Sequence, residues 1–262
     1  MRAMILAAGL GTRLQPFTNT RPKALVELSG RTLLEITLTR LRTFGITEVI
    51  INVHHFAEMV VAYLKSKNNF GMRIEISRED DLLLDTGGGL KKASWFFLED
   101  SPQKNSSQPD EPFLLHNVDV ISTIDLSQML QFHKENHALA TLAIQHRESS
   151  RYLLFNDKLQ LCGRRIEGDS PLATHHSPLL QSGETSSLIP LAFSGIHILS
   201  PRLLPQLTET GVFSIIDSYL RLSAQDEKIQ AFLADNSYWR DLGKPADLAQ
   251  AARDLIEIGP LP

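Results

Sequence analysis

The chain has 262 residues, a formal charge of −4, 42% hydrophobic residues and a single cysteine. This length supports a sizeable core. The net negative charge and the lack of a cluster of basic residues argue against a nucleic-acid-binding protein, because such proteins depend on many contacts to phosphates. Cys162 has no partner for an intramolecular disulfide, which favours a reducing, cytoplasmic setting. The apolar start of the chain is interrupted at Gly9, so we expect neither a signal peptide nor a membrane-spanning segment.

The first half of the chain alternates predicted strands and helices. Apolar or β-branched runs predict buried strands, at 3–7, 48–53, 73–77, 113–118 and 140–145. Apolar residues at helical spacing predict helices between them, at about 34–45, 59–64, 88–97 and 126–133. Residues 100–112 are polar and contain prolines, which predicts a surface loop. Strands and helices that alternate in this way predict βαβ units and a mostly parallel sheet.

After residue 146 the pattern changes to shorter strands. Runs at 152–155 and 159–162 flank Asn156-Asp157-Lys158, which predicts a hairpin turn. Residues 167–187 are rich in Gly, Ser, Pro and His and are either a long loop over a ligand site or disordered. The remaining predicted elements are strands at 188–199 and 229–233 and helices at 214–222 and 245–258. We find no internal repeat, and no hexapeptide repeat that would indicate an appended β-helix.

The most informative stretch directly follows the first predicted strand. Gly9 and Gly11 let backbone N–H groups approach a ligand, where those groups can bind phosphate oxygens. The stretch is not a dinucleotide fingerprint, because Leu14 stands at the third glycine position, and no Gly-Lys-Ser/Thr of a P-loop follows. Arg13 and Lys23 add fixed positive charge. Together these residues predict a triphosphate site.

Two acidic residues at the ends of predicted strands are candidate metal ligands. Asp119 follows the strand at 113–118, and Asp241 lies in a Tyr-Trp-Arg-Asp-Leu-Gly stretch. Carboxylates at the C-terminal ends of parallel strands lie where α/β sheets bind ligands. Mg²⁺ takes one or two carboxylates and completes its coordination with water and substrate phosphates. The His54-His55 and His175-His176 pairs lack the Cys or carboxylate spacing of a zinc site.

These features resemble a known family. Gly9-x-Gly11-Thr12-Arg13-x-x-Pro16-x-Thr18, followed by Pro22-Lys23, is similar to the signature of the sugar-1-phosphate nucleotidylyltransferases, and the resemblance extends over residues 1–251. It implies an α/β fold, a Rossmann-like three-layer sandwich with a mixed, mostly parallel sheet and a small β-rich sugar-binding lobe. It also implies a single domain over 1–262 without an appended acyltransferase repeat domain. In this domain residues 1–146 would bind nucleotide and residues 147–262 the sugar phosphate.

The resemblance also implies the functional residues. Catalytic roles would fall to Arg13, Lys23 and Asp119, and Mg²⁺ would be bound by Asp119 and Asp241. The nucleotide would be bound by Leu6, Ala8, Gly9, Gly11, Thr12, Arg13, Lys23, Thr86, Gly87, Gly88 and Asn117. The three consecutive glycines after Thr86 would form a turn against the base and ribose. The sugar phosphate would be bound by Arg151, Glu167, Ser194 and Gly195, in a lobe that also holds Tyr152 and Arg165.

The implied reaction converts a nucleoside triphosphate and a sugar 1-phosphate into a nucleotide sugar and pyrophosphate. The 85–89 and 193–196 stretches look most like those of N-acetylmuramate-1-phosphate uridylyltransferases, which would assign UTP, peptidoglycan recycling and a cytoplasmic location. Mannose- or heptose-1-phosphate guanylyltransferases are also similar, so GTP stays an alternative. Asn117-Val118-Asp119 further resembles a weakened Asp-x-Asp motif of metal-dependent glycosyltransferases, and a non-catalytic nucleotide sensor is a third alternative. The sequence does not constrain the oligomeric state.

Overall fold

A ten-stranded mixed sheet forms the centre of the fold. The computed structural model describes residues 1–98, 111–167, 175–176 and 188–259. Its strands are β1 (Ala3–Leu6), β2 (Glu27–Leu28), β3 (Arg31–Thr32), β4 (Glu48–Val53), β5 (Arg73–Arg78), β6 (Phe113–Asn117), β7 (Val120–Ser122), β8 (Ala140–Gln145), β9 (Arg151–Phe155), β10 (Leu161–Ile166), β11 (His175–His176), β12 (Ile189–Leu199), β13 (Ile229–Leu233) and β14 (Trp239–Asp241). Its helices are α1 (Leu33–Thr43), α2 (Ala57–Ser66), α3 (Asp85–Lys92), α4 (Trp95–Leu98), α5 (Leu126–Glu135), α6 (Ile215–Ser223) and α7 (Pro245–Ile258).

The order of the strands divides the sheet into a parallel part and a mainly antiparallel part, in which β13 is parallel to β8. β1 lies between β4 and β6 and is parallel to both, and β5 extends this parallel part beyond β4. β12 is antiparallel to β6, β8 and β9, and the hairpin of β9 and β10 continues the sheet on that side. The predicted α/β fold with a mixed sheet and a parallel core is therefore confirmed, and the antiparallel part corresponds to the predicted β-rich lobe.

Apolar side chains are buried on both faces of this sheet. On β1, Ala3 and Ile5 contribute to one core, while Met4 contributes to the core on the other face. A strand buried on both faces has a continuous apolar sequence, as β1 does. A third, smaller core joins Leu14, Leu242 and residues of α7. This third core holds the glycine loop after β1 against the segment that follows Asp241.

Polar side chains cap three of the helices. The Thr32 hydroxyl accepts a hydrogen bond from the Glu35 N–H (3.1 Å) at the start of α1, and the Asp125 carboxylate accepts from Ser127 (2.8 Å) at the start of α5. Ser214 caps α6 in the same way. Such caps satisfy N–H groups that have no partner within the helix. Among the described residues, no helix combines the length and apolar character needed to cross a bilayer.

Several predicted boundaries differ from the observed ones. The helix predicted at 88–97 is divided into α3 and α4, and α3 begins at Asp85, so the three consecutive glycines lie within the helix and do not form a turn before it. The strand predicted at 159–162 begins only at Leu161, because Leu159 adopts a left-handed conformation (φ +57°) in the hairpin turn. Most of the loops predicted at 100–112 and 167–187 lie outside the described residues.

Candidate active site

A cleft of about 450 Å³ opens at the C-terminal ends of β1 and β6. Most residues predicted to bind nucleotide line it: Leu6, Ala8, Gly9, Gly11, Thr12, Arg13, Lys23, Thr86 and Asn117. Asp119 lines it as well. The structure therefore brings the glycine loop, both predicted cations and one predicted metal ligand to a single opening, at the edge of the sheet where α/β folds bind ligands.

Gly11 allows the glycine loop to turn tightly against Lys23. Its backbone is left-handed (φ +64°), and its carbonyl accepts hydrogen bonds from the Leu14 N–H (2.8 Å) and the Thr18 hydroxyl (2.9 Å). A Cβ atom at this position would lie 3.1 Å from Lys23 Cβ and 2.9 Å from Thr18 Cγ2. Both the backbone conformation and the lack of space require glycine here.

Lys23 and Asp119 form an ion pair at the base of the cleft. Lys23 is only 8% exposed, and its Nζ contacts Asp119 Oδ2. Asp119 lies between β6 and β7, and its carbonyl accepts a hydrogen bond from the Leu242 N–H (2.8 Å). β7 and β14 pair antiparallel, with Asp241 opposite Val120. This pairing brings the two predicted metal ligands together from distant parts of the chain.

Asp241 lies beside charged groups of both signs. Burial raises the pKa of its carboxyl, and the neighbouring Asp119 raises it further, while Lys23 and Arg13 oppose the shift. A Cβ atom at Gly243 would lie 2.6 Å from Asp241 Oδ1 and 3.0 Å from Arg13 Nη2. Two carboxylates and two cations therefore share one partly buried site.

The carboxylate pair fits a hard divalent cation. Within the described ranges, no group of three or more His, Cys, Asp or Glu side chains is arranged as a metal site. A cation held by Asp119 and Asp241 would therefore take further ligands from water and substrate. Mg²⁺ binds proteins in this way, through one or two carboxylates together with substrate phosphates.

A larger cavity of about 1010 Å³, which we call the outer cavity, adjoins the cleft and shares Arg13, Thr86 and Asn117 with it. Asp241 lines the outer cavity, so the two carboxylates stand where the cavities meet. Of the residues predicted to bind the sugar phosphate, the outer cavity brings together Arg151, Ser194 and Gly195. The fourth, Glu167, is exposed at the end of β10 and does not line it.

The sequence analysis missed Arg147 and Trp239, which line the outer cavity. The Arg147 guanidinium lies 3.7 Å from the centroid of the Trp239 ring and donates a hydrogen bond to the Phe193 carbonyl (2.6 Å). Burial lowers the pKa of Arg147, and the nearby Asp241 opposes this shift. The only sequence signals are that Arg147 follows the end of β8 and that Trp239 precedes Asp241 by two residues.

Asn52 is a second residue that the sequence analysis missed. It is 2% exposed, accepts a hydrogen bond from the Ala7 N–H (2.7 Å) and donates one to Glu79 Oε1 (2.7 Å). Glu79, 1% exposed, also accepts from the Leu84 N–H (2.8 Å). This buried network connects the end of β1 to the segment that precedes α3. It therefore fixes one wall of the cleft relative to the glycine loop.

The glycines of α3 have a packing role in the structure. The N–H groups of Gly87 and Gly88 donate to the Phe213 carbonyl (3.0 and 3.3 Å). A Cβ atom at Gly88 would lie 2.5 Å from the Gly211 carbonyl oxygen. Both glycines are buried and neither lines the cleft, whereas Thr86 does. Their contact with a nucleobase stays a prediction.

The chain is similar to several known proteins in sequence and in fold. A family model described as Nucleotidyl transferase matches residues 2–153. The chain is 32% identical to the N-acetylmuramate alpha-1-phosphate uridylyltransferase of Caulobacter vibrioides, over 96% of each protein. It is 28% identical to the probable mannose-1-phosphate guanylyltransferase 1 of Oryza sativa subsp. japonica, over 98% of this chain but 65% of that protein. The fold matches HddC from Yersinia pseudotuberculosis complexed with GMP-PN (TM-score 0.72, 20% identity, 97% of this chain and 99% of that one).

Proposed function

Because the chain belongs to the nucleotidyl transferase family, we propose that it transfers a uridylyl group from UTP to N-acetylmuramate 1-phosphate and releases pyrophosphate. The observation that carries this proposal is the cluster of Lys23, Asp119 and Asp241 at the junction of the cleft and the outer cavity. Reactants bound on the two sides of this junction would meet beside the charged groups. The choice of UTP and of this sugar follows the bacterial relative, which matches over nearly its full length.

We assign triphosphate binding to the cleft and to residues 1–146. The glycine loop offers backbone N–H groups, and the Arg13 guanidinium offers a planar pair of donors for phosphate oxygens. Lys23 is held by Asp119 in the structure, so an incoming triphosphate would compete with Asp119 for the ammonium group. Asp119 and Asp241 would hold Mg²⁺, which when bound would neutralise charge on the reacting phosphates.

We assign sugar phosphate binding to the outer cavity and to residues 147–262. An oxygen of the sugar phosphate forms a bond to the α-phosphorus of the triphosphate. The bond from that phosphorus to the bridging oxygen breaks, and pyrophosphate leaves with the electron pair. The attacking phosphate is already ionised at neutral pH, so no general base is needed. Catalysis therefore depends on positioning and on charge neutralisation by residues such as Arg13 and Lys23.

The alternatives differ in nucleotide or in reaction. A guanylyltransferase acting on a mannose- or heptose-type phosphate is the second candidate, because the plant relative carries that name. A glycosyltransferase uses a diphosphate donor and would not need Arg13 and Lys23 in a triphosphate cleft. A nucleotide sensor would bind triphosphate without turnover.

A matrix of four nucleoside triphosphates against a panel of sugar 1-phosphates, measured by pyrophosphate release with Mg²⁺, tests the proposal. We expect the highest rate with UTP and N-acetylmuramate 1-phosphate. A preference for GTP with mannose 1-phosphate would replace the proposed substrates by the second candidate. Absence of pyrophosphate from every pair would reject the reaction itself, and Asp119→Asn measured alongside gives the background rate.

A further inference from the structure

Positively charged side chains outnumber negatively charged ones in the outer cavity. Seven lysine or arginine residues line it against four aspartate or glutamate residues, although the whole chain carries a charge of −4. Two of the seven are neutralised by neighbours, since Arg164 pairs with Asp217 and Arg240 with Asp254 (2.6 and 2.8 Å). Among the described residues, Arg165 makes no ion pair.

Two of these arginines rest on different aromatic rings of the outer cavity. Arg147 lies over Trp239, near enough to both Asp241 and Tyr152 for these residues to oppose the lowering of its pKa by burial. Arg165 lies over the ring of Tyr152, 5.0 Å from its centroid, and these two residues face each other across β9 and β10. A guanidinium that stacks on an aromatic face is held in place without losing its hydrogen-bond donors.

Tyr152 is itself fixed in the antiparallel lobe. Its hydroxyl accepts a hydrogen bond from the Ser149 N–H (3.0 Å), so the ring under Arg165 is tied to the loop that follows Arg147. The outer cavity, at about 1010 Å³, lies at the upper end of the range for small-molecule sites and can accept a substituted sugar. Arg165 therefore offers a pre-oriented pair of donors to a ligand bound in the outer cavity.

We propose that Arg165, held on Tyr152, binds a second anionic group of the substrate, a carboxylate carried by the sugar. The acceptor is then an acidic sugar 1-phosphate, and the enzyme discriminates against the sugar 1-phosphate that lacks the group carrying this carboxylate. A guanidinium and a carboxylate match in geometry and form two parallel charge-assisted hydrogen bonds. This inference rests on the proposed function, because it takes the outer cavity as the site of the sugar phosphate.

The test compares two acceptors that differ in the acidic substituent. N-acetylmuramate 1-phosphate carries a lactyl carboxylate, and N-acetylglucosamine 1-phosphate lacks the whole lactyl group. Arg165→Gln should lower kcat/KM for the acidic acceptor by about 10- to 100-fold, mainly through KM, as expected for one charge-assisted contact. Its kcat/KM for the neutral acceptor should stay within about twofold of wild type. Arg164→Gln is the matched control, since this neighbouring arginine already pairs with Asp217.

The outcomes separate the two proposals. Equal loss on both acceptors, or no loss on either, would overturn the carboxylate contact and leave the transferase reaction intact. If neither acceptor yields pyrophosphate with any triphosphate, the proposed function fails. Calorimetry of the same two sugar phosphates with wild type and Arg165→Gln still tests the carboxylate contact in that case, because a binding measurement needs no turnover. Use of glucuronate 1-phosphate but not of N-acetylmuramate 1-phosphate, with a rate that falls in Arg165→Gln, would support the contact and reject the proposed sugar.

Discussion

Replacing Gly88 by alanine should destabilise the fold and leave nucleotide binding intact. The added Cβ atom would lie 2.5 Å from the Gly211 carbonyl oxygen and 3.0 Å from Leu84 Cβ. Overpacking of this kind costs about 1–3 kcal/mol, and contact with a backbone atom places this case in the upper part of that range. Alanine recovers about 1 kcal/mol through its higher helix propensity. The net loss is therefore about 1–2 kcal/mol, or about 2–8 °C in Tm for a domain of this size.

Gly9→Ala is the matched control for this substitution. A Cβ atom at Gly9 has no neighbour within 4 Å, and Gly9 lines the cleft that we assign to the triphosphate. Gly9→Ala should therefore keep the wild-type Tm and raise the KM for UTP. Gly88→Ala should instead lower the Tm and leave the KM for UTP unchanged. Thermal unfolding followed by circular dichroism gives Tm, and pyrophosphate release well below both transitions gives KM.

One combination of results would refute this reasoning. If Gly88→Ala unfolds at the wild-type temperature but binds UTP more weakly, the close packing of α3 against Gly211 is not what requires glycine. The interpretation drawn from sequence, in which these glycines contact the nucleobase, would then be favoured. If Gly88→Ala lowers the Tm and also weakens UTP binding, the packing of α3 against Gly211 is needed to position Thr86 in the cleft.

Three further predictions concern the charged and buried groups. Asp119→Asn should lower turnover by about 10²–10³ with a near-normal Tm, and near-wild-type pyrophosphate release would contradict its assignment as a metal ligand. Arg147→Met should raise the KM for the sugar phosphate by about 10-fold or more while the KM for UTP stays unchanged, because Arg147 lines only the outer cavity. Burial lowers the pKa of His197 from 6.5 to about 3. Between these pH values the folded protein therefore binds fewer protons than the unfolded chain. As a result, the free energy of unfolding falls as the pH drops below about 6.5. The difference in urea midpoint between wild type and His197→Gln should therefore be smaller at pH 4.5 than at pH 7, and an equal difference at both would contradict the buried, neutral state.

Local patterns in the sequence were enough to predict several elements to the residue. β4, β8, β13 and α7 have the predicted bounds, because their apolar runs are bounded by turn residues and α7 begins at a proline. The helix at 88–97 was wrong in its bounds and continuity. Glycine disfavours helices, and here the packing of Gly87 and Gly88 against Phe213 and Gly211 outweighs that local preference.

The glycine loop and its cations were predictable because they lie within one short stretch of chain, whereas Arg147 was not. Its position over Trp239 depends on a contact between β14 and the end of β8, and no spacing along the chain indicates such a contact. The same is true of Asn52. In the sequence it is part of an apolar strand, and its hydrogen bond to Glu79 becomes visible only in the folded structure.

Local sequence patterns predicted most of the longer strands and helices and the glycine loop after β1, but not the short strands β2, β3 and β7. The resemblance implied that Asp119 and Asp241 bind one Mg²⁺, but the contact that brings them together, the pairing of β7 with β14, is visible only in the fold. The fold also distinguishes two neighbouring arginines of the outer cavity: Arg164 pairs with Asp217, whereas Arg165 lies over the Tyr152 ring. The physical reason is that periodicity and turn chemistry act between near neighbours, while burial and charge depend on residues that meet only after folding.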